Sequence, residues 1–75
     1  MDEKVDYRFV RLGEAIREKR EAQDLSQRKL AQMIGHSSSH TYITRVEQVQ
    51  VKIGLEQLIK IADALEVRVD KLIDF

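Results

Sequence analysis

Lys29 and Arg45 bracket fifteen residues that contain no Asp, Glu, Lys or Arg, in a chain of which 35% is charged. His36, Ser37, Ser38, Ser39, His40, Thr41, Tyr42 and Thr44 fill that window with imidazoles, hydroxyls and a phenol. Three chemistries use such residues. His36 and His40 stand four apart, so on one continuous helix they would share a face and could hold zinc. The intervening serines break such a helix and no third ligand is near in sequence, so no metal and no cofactor is expected. Serines beside histidines also suggest hydrolysis. No orienting acid, Gly-rich elbow or oxyanion-hole motif accompanies them, and the chain is not expected to be an enzyme. The third chemistry is base reading. A helix whose outward face carries His40, Thr41, Thr44 and Arg45 suits a DNA major groove, where Arg chelates guanine and Thr offers a hydroxyl and a methyl to thymine. Composition alone leaves this level with a solvated polar face.

The elements that must position these residues follow from hydrophobic periodicity. Phe9, Leu12 and Ile16 at i, i+3, i+7 predict a first helix over Tyr7 to Ala22, stopped at Asp24, which tolerates a left-handed conformation. Ser26 reads as the N-cap of a second helix, Gln27 to Ile34, with Leu30, Ala31 and Ile34 inward and Gly35 ending it. A third helix, about His40 to Gln48, turns Ile43 and Val46 inward. A fourth follows Gly54, with Leu55, Leu58, Ala62 and Leu65 in register. Val69 to Phe75 forms a short last helix or turn with Leu72 facing the core. Val49, Val51 and Ile53 alternate with polar residues, but a lone strand has no partner, so this stretch reads as an extended connection. The expected fold is all-α, five short helices, with residues 1–6 a polar lead and 7–75 a single domain.

The chain has 75 residues, with 13 basic against 13 acidic groups and no Cys, Pro or Trp. That length supports one small domain, and the lack of Cys removes disulfide frameworks, thiolate metal sites and thiol nucleophiles. The opening Met1-Asp2-Glu3-Lys4-Val5-Asp6 has no apolar core, so a secretory signal is not expected, and no apolar run approaches the roughly 20 residues that span a bilayer. A cytoplasmic protein without a membrane partner is the expectation. Zero net charge argues mildly against nonspecific nucleic-acid binding. By segment, however, residues 26–48 carry three basic and one acidic group, while 1–25 and 49–75 each sum to −1.

The order of residues adds a resemblance. Leu12-Gly13-Glu14-Ala15-Ile16-Arg17-Glu18-Lys19-Arg20, then Leu25-Ser26-Gln27, Leu30-Ala31, Gly35, Tyr42-Ile43-Thr44-Arg45-Val46-Glu47 and Leu55 to Val67 resemble the phage-repressor/Cro-type (XRE-type) helix-turn-helix family over Phe9 to Ile73. The Thr41-Tyr42-Ile43 triplet and small size look most like restriction-modification controller proteins. The resemblance implies a lambda-repressor-like DNA-binding domain, a homodimer on a symmetric operator, with the second and third helices as the motif. It implies that Gln27 contacts phosphate and that Ser39 caps the recognition helix. His40, Thr41 and Arg45 then face base edges, flanked by Tyr42 and Thr44, while Arg28 and Lys29 supply exposed positive charge. It further implies an Arg20–Glu47 ion pair and a dimer interface near the C-terminus, at Leu72, Ile73 and Phe75.

Several positions depart from the family pattern. The interval from Ala31 to Ile43 is two residues longer than usual, which places an insertion around His36-Ser37-Ser38. Asp24, Val49 and Glu66 stand where the family often has Gly, and Ile53 where Pro is common. Val49, Val51 and Ile53 make the loop after the recognition helix unusually apolar, as cover for the domain's own core or as part of a partner surface. Two rival functions remain: an antitoxin-type regulator that binds a toxin protein as well as DNA, and a protein-interaction domain that has lost DNA binding.

Overall fold

The computed structural model describes residues 6–35, 41–49 and 53–73. The described chain is all-α, with no strand: α1 (Tyr7–Ala22), α2 (Gln27–Met33), α3 (Thr41–Glu47), α4 (Leu55–Ala64) and a 3-10 turn (Val69–Lys71). The fifth helix expected from the sequence is thus a single turn of three residues, anchored by Leu72.

Local chemistry accounts for the punctuation. Asp6 is not part of a featureless lead: its carboxylate accepts from the Arg8 N–H at 2.8 Å and N-caps α1. Ser26 caps α2 by accepting from the Lys29 N–H at 2.9 Å, which satisfies one of the donors a helix start leaves orphaned. In a chain without Pro and with three Gly, left-handed residues end the helices instead. Asp24, Val49 and Glu66 have φ of 58°, 59° and 59°, and Gly35 has φ of 90°. The three non-glycines are the positions where the resembled family often has Gly.

Leu12, Ile16, Leu30, Ala31, Ile34, Ile43, Val46, Leu58, Ile61, Ala62, Leu65 and Leu72 form one core. Two sequence expectations fail here. Phe9 and Leu55 obey the helical period but lie 39% and 69% exposed. Each sits in the first turn of its helix, beyond the edge of the packed core, where periodicity continues without anything to pack against. Ile53 is half-buried against the core, so the apolar loop serves partly as core cover. Val51 and the rest of 50–52 lie outside the described residues.

α3 packs on both α1 and α2. Its approach to α1 depends on Gly13, where a Cβ would stand 2.6 Å from the Glu47 carbonyl oxygen.

Candidate nucleic-acid interface

Ile43 and Val46 are buried, which sets the side of α3 that faces the core. Successive residues are about 100° apart around a helix, so Thr41 and Arg45, four apart, share the opposite side. Both are exposed, as is Gln48 three residues beyond Arg45. Gln48 belongs to this surface but escaped the sequence reading, although its i+3 spacing from Arg45 was a sufficient signal. Arg28 and Lys29 are exposed in the first turn of α2. Ser39, His40 and His36 lie outside the described residues. Among the described residues no group of three or more His, Cys, Asp and Glu side chains could hold a metal ion.

Tyr42 and Thr44 are less outward than expected. Tyr42 is half-buried against the core cluster, and that burial pushes its phenol above the ordinary tyrosine range. Thr44 is half-buried, and its hydroxyl donates to Gln27 Oε1 at 2.6 Å. Gln27 itself, expected to reach a phosphate, is engaged inside the protein, where Nε2 donates to Glu47 Oε1 at 3.1 Å.

Glu47 is the one acidic residue of α3. Its carboxylate receives Arg20 Nε at 2.7 Å and the guanidinium NH2 at 3.2 Å. The two side chains are 9% and 4% exposed. Arg20 also donates to the Leu25 carbonyl at 2.7 Å, immediately before the α2 cap. A buried charge is tolerable only when its donors and acceptors are filled, and this pair meets that condition with a bidentate contact and further bonds.

The consequence for electrostatics is simple. The acidic charge nearest the exposed face of α3 is neutralised internally, leaving Arg28, Lys29 and Arg45 exposed across α2 and α3. A guanidinium on a short rigid helix can present paired N–H donors to paired acceptors such as guanine O6 and N7, and a neighbouring Thr adds hydroxyl and methyl contacts. Ammonium and guanidinium groups on the preceding helix suit phosphates. Of the expected interface residues, Leu72 is fully buried in the protomer core and so cannot lie on a subunit surface. Ile73 is 41% exposed. Phe75 lies outside the described residues.

Comparison with known proteins agrees with this geometry. A helix-turn-helix family profile matches residues 16–72. No curated protein sequence matches the chain significantly. The fold is similar to the crystal structure of the restriction-modification controller protein C.AhdI from Aeromonas hydrophila, with a TM-score of 0.82 and 33% identity over 89% of this chain and 98% of that one.

Proposed function

The chain belongs to the helix-turn-helix family, as a non-enzymatic DNA-binding regulator, and from that premise we propose that it binds a specific, two-fold-symmetric DNA operator as a homodimer in the cytoplasm. Its likeness to C.AhdI, a restriction-modification controller protein, supports a controller role of this kind. The observation that carries the reading is the face of α3: Thr41 and Arg45 project from it, and its one acid, Glu47, is turned inward onto Arg20. A solvated polar face has no need to hide its acid, whereas a face that meets phosphates does.

In this reading α3 enters the major groove. Arg45 and Thr41 read base edges, with His40 beside them and Ser39 at the helix start as the resemblance implies. Arg28 and Lys29 hold phosphates, and Tyr42 flanks them. The second protomer repeats the contact about one helical turn away, ~34 Å along the duplex. Self-association is supported by a groove of about 510 Å³ between the starts of α1 and α4 and the C-terminal segment, lined by the apolar Phe9, Leu12, Ile53, Leu55, Leu58 and Ile73 together with the charged Asp6 and Arg8.

Selection of bound sequences from a pool of random duplexes tests the reading. A symmetric site should emerge, and enrichment of no sequence would sink it. Arg45→Ala should then cost roughly 1–3 kcal/mol of binding and relax preference at one base position; equal weakening on every sequence would make Arg45 a phosphate contact instead.

A further inference from the structure

Gln27 joins two structures that serve different purposes. On one side its Nε2 donates to Glu47 Oε1 at 3.1 Å, within the buried pair that Arg20 makes with Glu47. On the other its Oε1 accepts from the Thr44 hydroxyl at 2.6 Å, on the helix that carries Thr41 and Arg45. The orientation of this amide is not a free choice. An ionised carboxylate only accepts, so the NH2 must face Glu47 and the carbonyl must face Thr44, whose hydroxyl is then obliged to donate. The bonds run continuously from the Leu25 carbonyl through Arg20, Glu47 and Gln27 to Thr44. Such linked bonds in a low-dielectric setting reinforce one another more than separate pairs do.

Thr44 is adjacent to Arg45 and three residues from Thr41. A tether at Thr44 therefore sets the rotation of α3 about its own axis, and with it the direction in which both exposed side chains point. The apolar contacts of Ile43 and Val46 hold α3 down, but apolar packing is non-directional and a small roll costs it little. Directional bonds on α3 join Thr44 to Gln27 and Glu47 to both Arg20 and Gln27, so the single Gln27 side chain grips the helix at two points almost a turn apart.

We propose that Gln27 is a positioning residue for sequence recognition: its amide bonds both Thr44 and Glu47 of α3, the latter locked by Arg20, and so fixes the roll that decides which base-edge pattern Arg45 and Thr41 meet. The proposal rests on the DNA-reading role of α3. It differs from a phosphate contact, which would add affinity equally to all sequences.

The test is parallel selection from random duplexes by the full chain, Gln27→Ala, Thr44→Val and the double variant, with circular dichroism to verify helicity. Positioning predicts that Gln27→Ala changes relative affinities among operator variants by roughly threefold to tenfold, at the positions read by Arg45 and Thr41. Thr44→Val, which keeps the side chain's shape and removes only the hydroxyl, should shift the same positions, and the double variant should add nothing further. If Gln27→Ala weakens every sequence alike with preferences intact, Gln27 is a phosphate contact and the proposal is overturned. If Gln27→Ala fails to fold, Thr44→Val decides: a shift confined to one base position identifies a direct contact by Thr44 and overturns positioning. Enrichment of no sequence by the unaltered chain removes the DNA reading, and this inference falls with it.

Discussion

Val49 holds a left-handed backbone, φ 59°, directly after α3. Left-handed geometry costs a non-glycine roughly 1–2 kcal/mol, and a β-branched side chain fits it worst. Asp24 and Glu66 adopt the same conformation, but Asp bears it more readily and Glu is unbranched at Cβ. Val49→Gly should raise unfolding free energy by about 1 kcal/mol once glycine's added chain entropy and the lost half-buried side chain are set against relief of strain. Chemical denaturation measures this directly, with Asp24→Gly as a comparison expected to move less. Glu47 is the opposite case. Glu47→Ala leaves the Arg20 guanidinium buried without its carboxylate, a loss of roughly 3–5 kcal/mol that most of so small a domain's stability would be needed to absorb. Asp24 was legible as a left-handed stop; at Val49 and Glu66 the sequence showed only that the resembled family often has Gly, and the left-handed backbone there is what the structure adds. The Gln27–Thr44 bond was not legible, since its partners are 17 residues apart and neither period nor charge links them.

At the scale of elements, the start of α2 followed from the Ser26 cap, whereas the Asp6 cap of α1 was hidden in the polar lead. α1 runs from Tyr7 to Ala22, as the spacing of Leu12 and Ile16 and the stop at Asp24 require. Contacts between helices were less legible, because they depend on what an element meets as well as on its own pattern. Gly13 illustrates this: within α1 it looks like a weak helical residue, yet it is where the end of α3 comes closest. An isolated Ala for Gly change in a helix should gain about 1 kcal/mol of propensity. Here the added Cβ would meet backbone at 2.6 Å, and a carbonyl cannot swing aside as a flexible side chain would. Gly13→Ala is therefore expected to destabilise, net, by about 1–3 kcal/mol, and to weaken DNA binding by pushing α3 off its seat. An increase in melting temperature would show that the two helices separate without cost. The α1 start predicts a pH response too. Hydrogen bonds from the Arg8 guanidinium, then from its backbone N–H, hold the Asp6 carboxyl down to about 2 from 3.8. A depressed carboxylate contributes above its unfolded value and is lost as pH falls through the folded one. The cap should thus fade between about pH 4 and 2, so Asp6→Asn should flatten part of the acid-unfolding curve in that window.

At the scale of the whole molecule, the positions where periodicity misled are neighbours. Phe9 and Leu55 were expected to face the core, yet both line the groove beside Ile73. The hydrophobic signal was real, but a single protomer does not bury it. A second copy would supply the missing partner, turning an intramolecular misreading into an intermolecular contact. It would also double a contact set that is small in one protomer, where only Arg28, Lys29 and Arg45 stand exposed as cations on α2 and α3. Leu55→Asp separates these ideas cleanly. Leu55 is 69% exposed, so its loss leaves no cavity, and as the first residue of α4 it is where an acid favours the helix dipole. The folded protomer should therefore keep its helicity and stability, while a carboxylate placed among the apolar residues of this groove should split the proposed dimer in sedimentation experiments. Affinity for a two-half-site duplex should then fall by roughly 10²–10⁴, towards that of a single half-site, because the second contact is no longer made at high effective concentration. Binding to an isolated half-site should be unchanged. A variant that stays dimeric, or that loses half-site binding equally, would place the subunit contact elsewhere on the molecule.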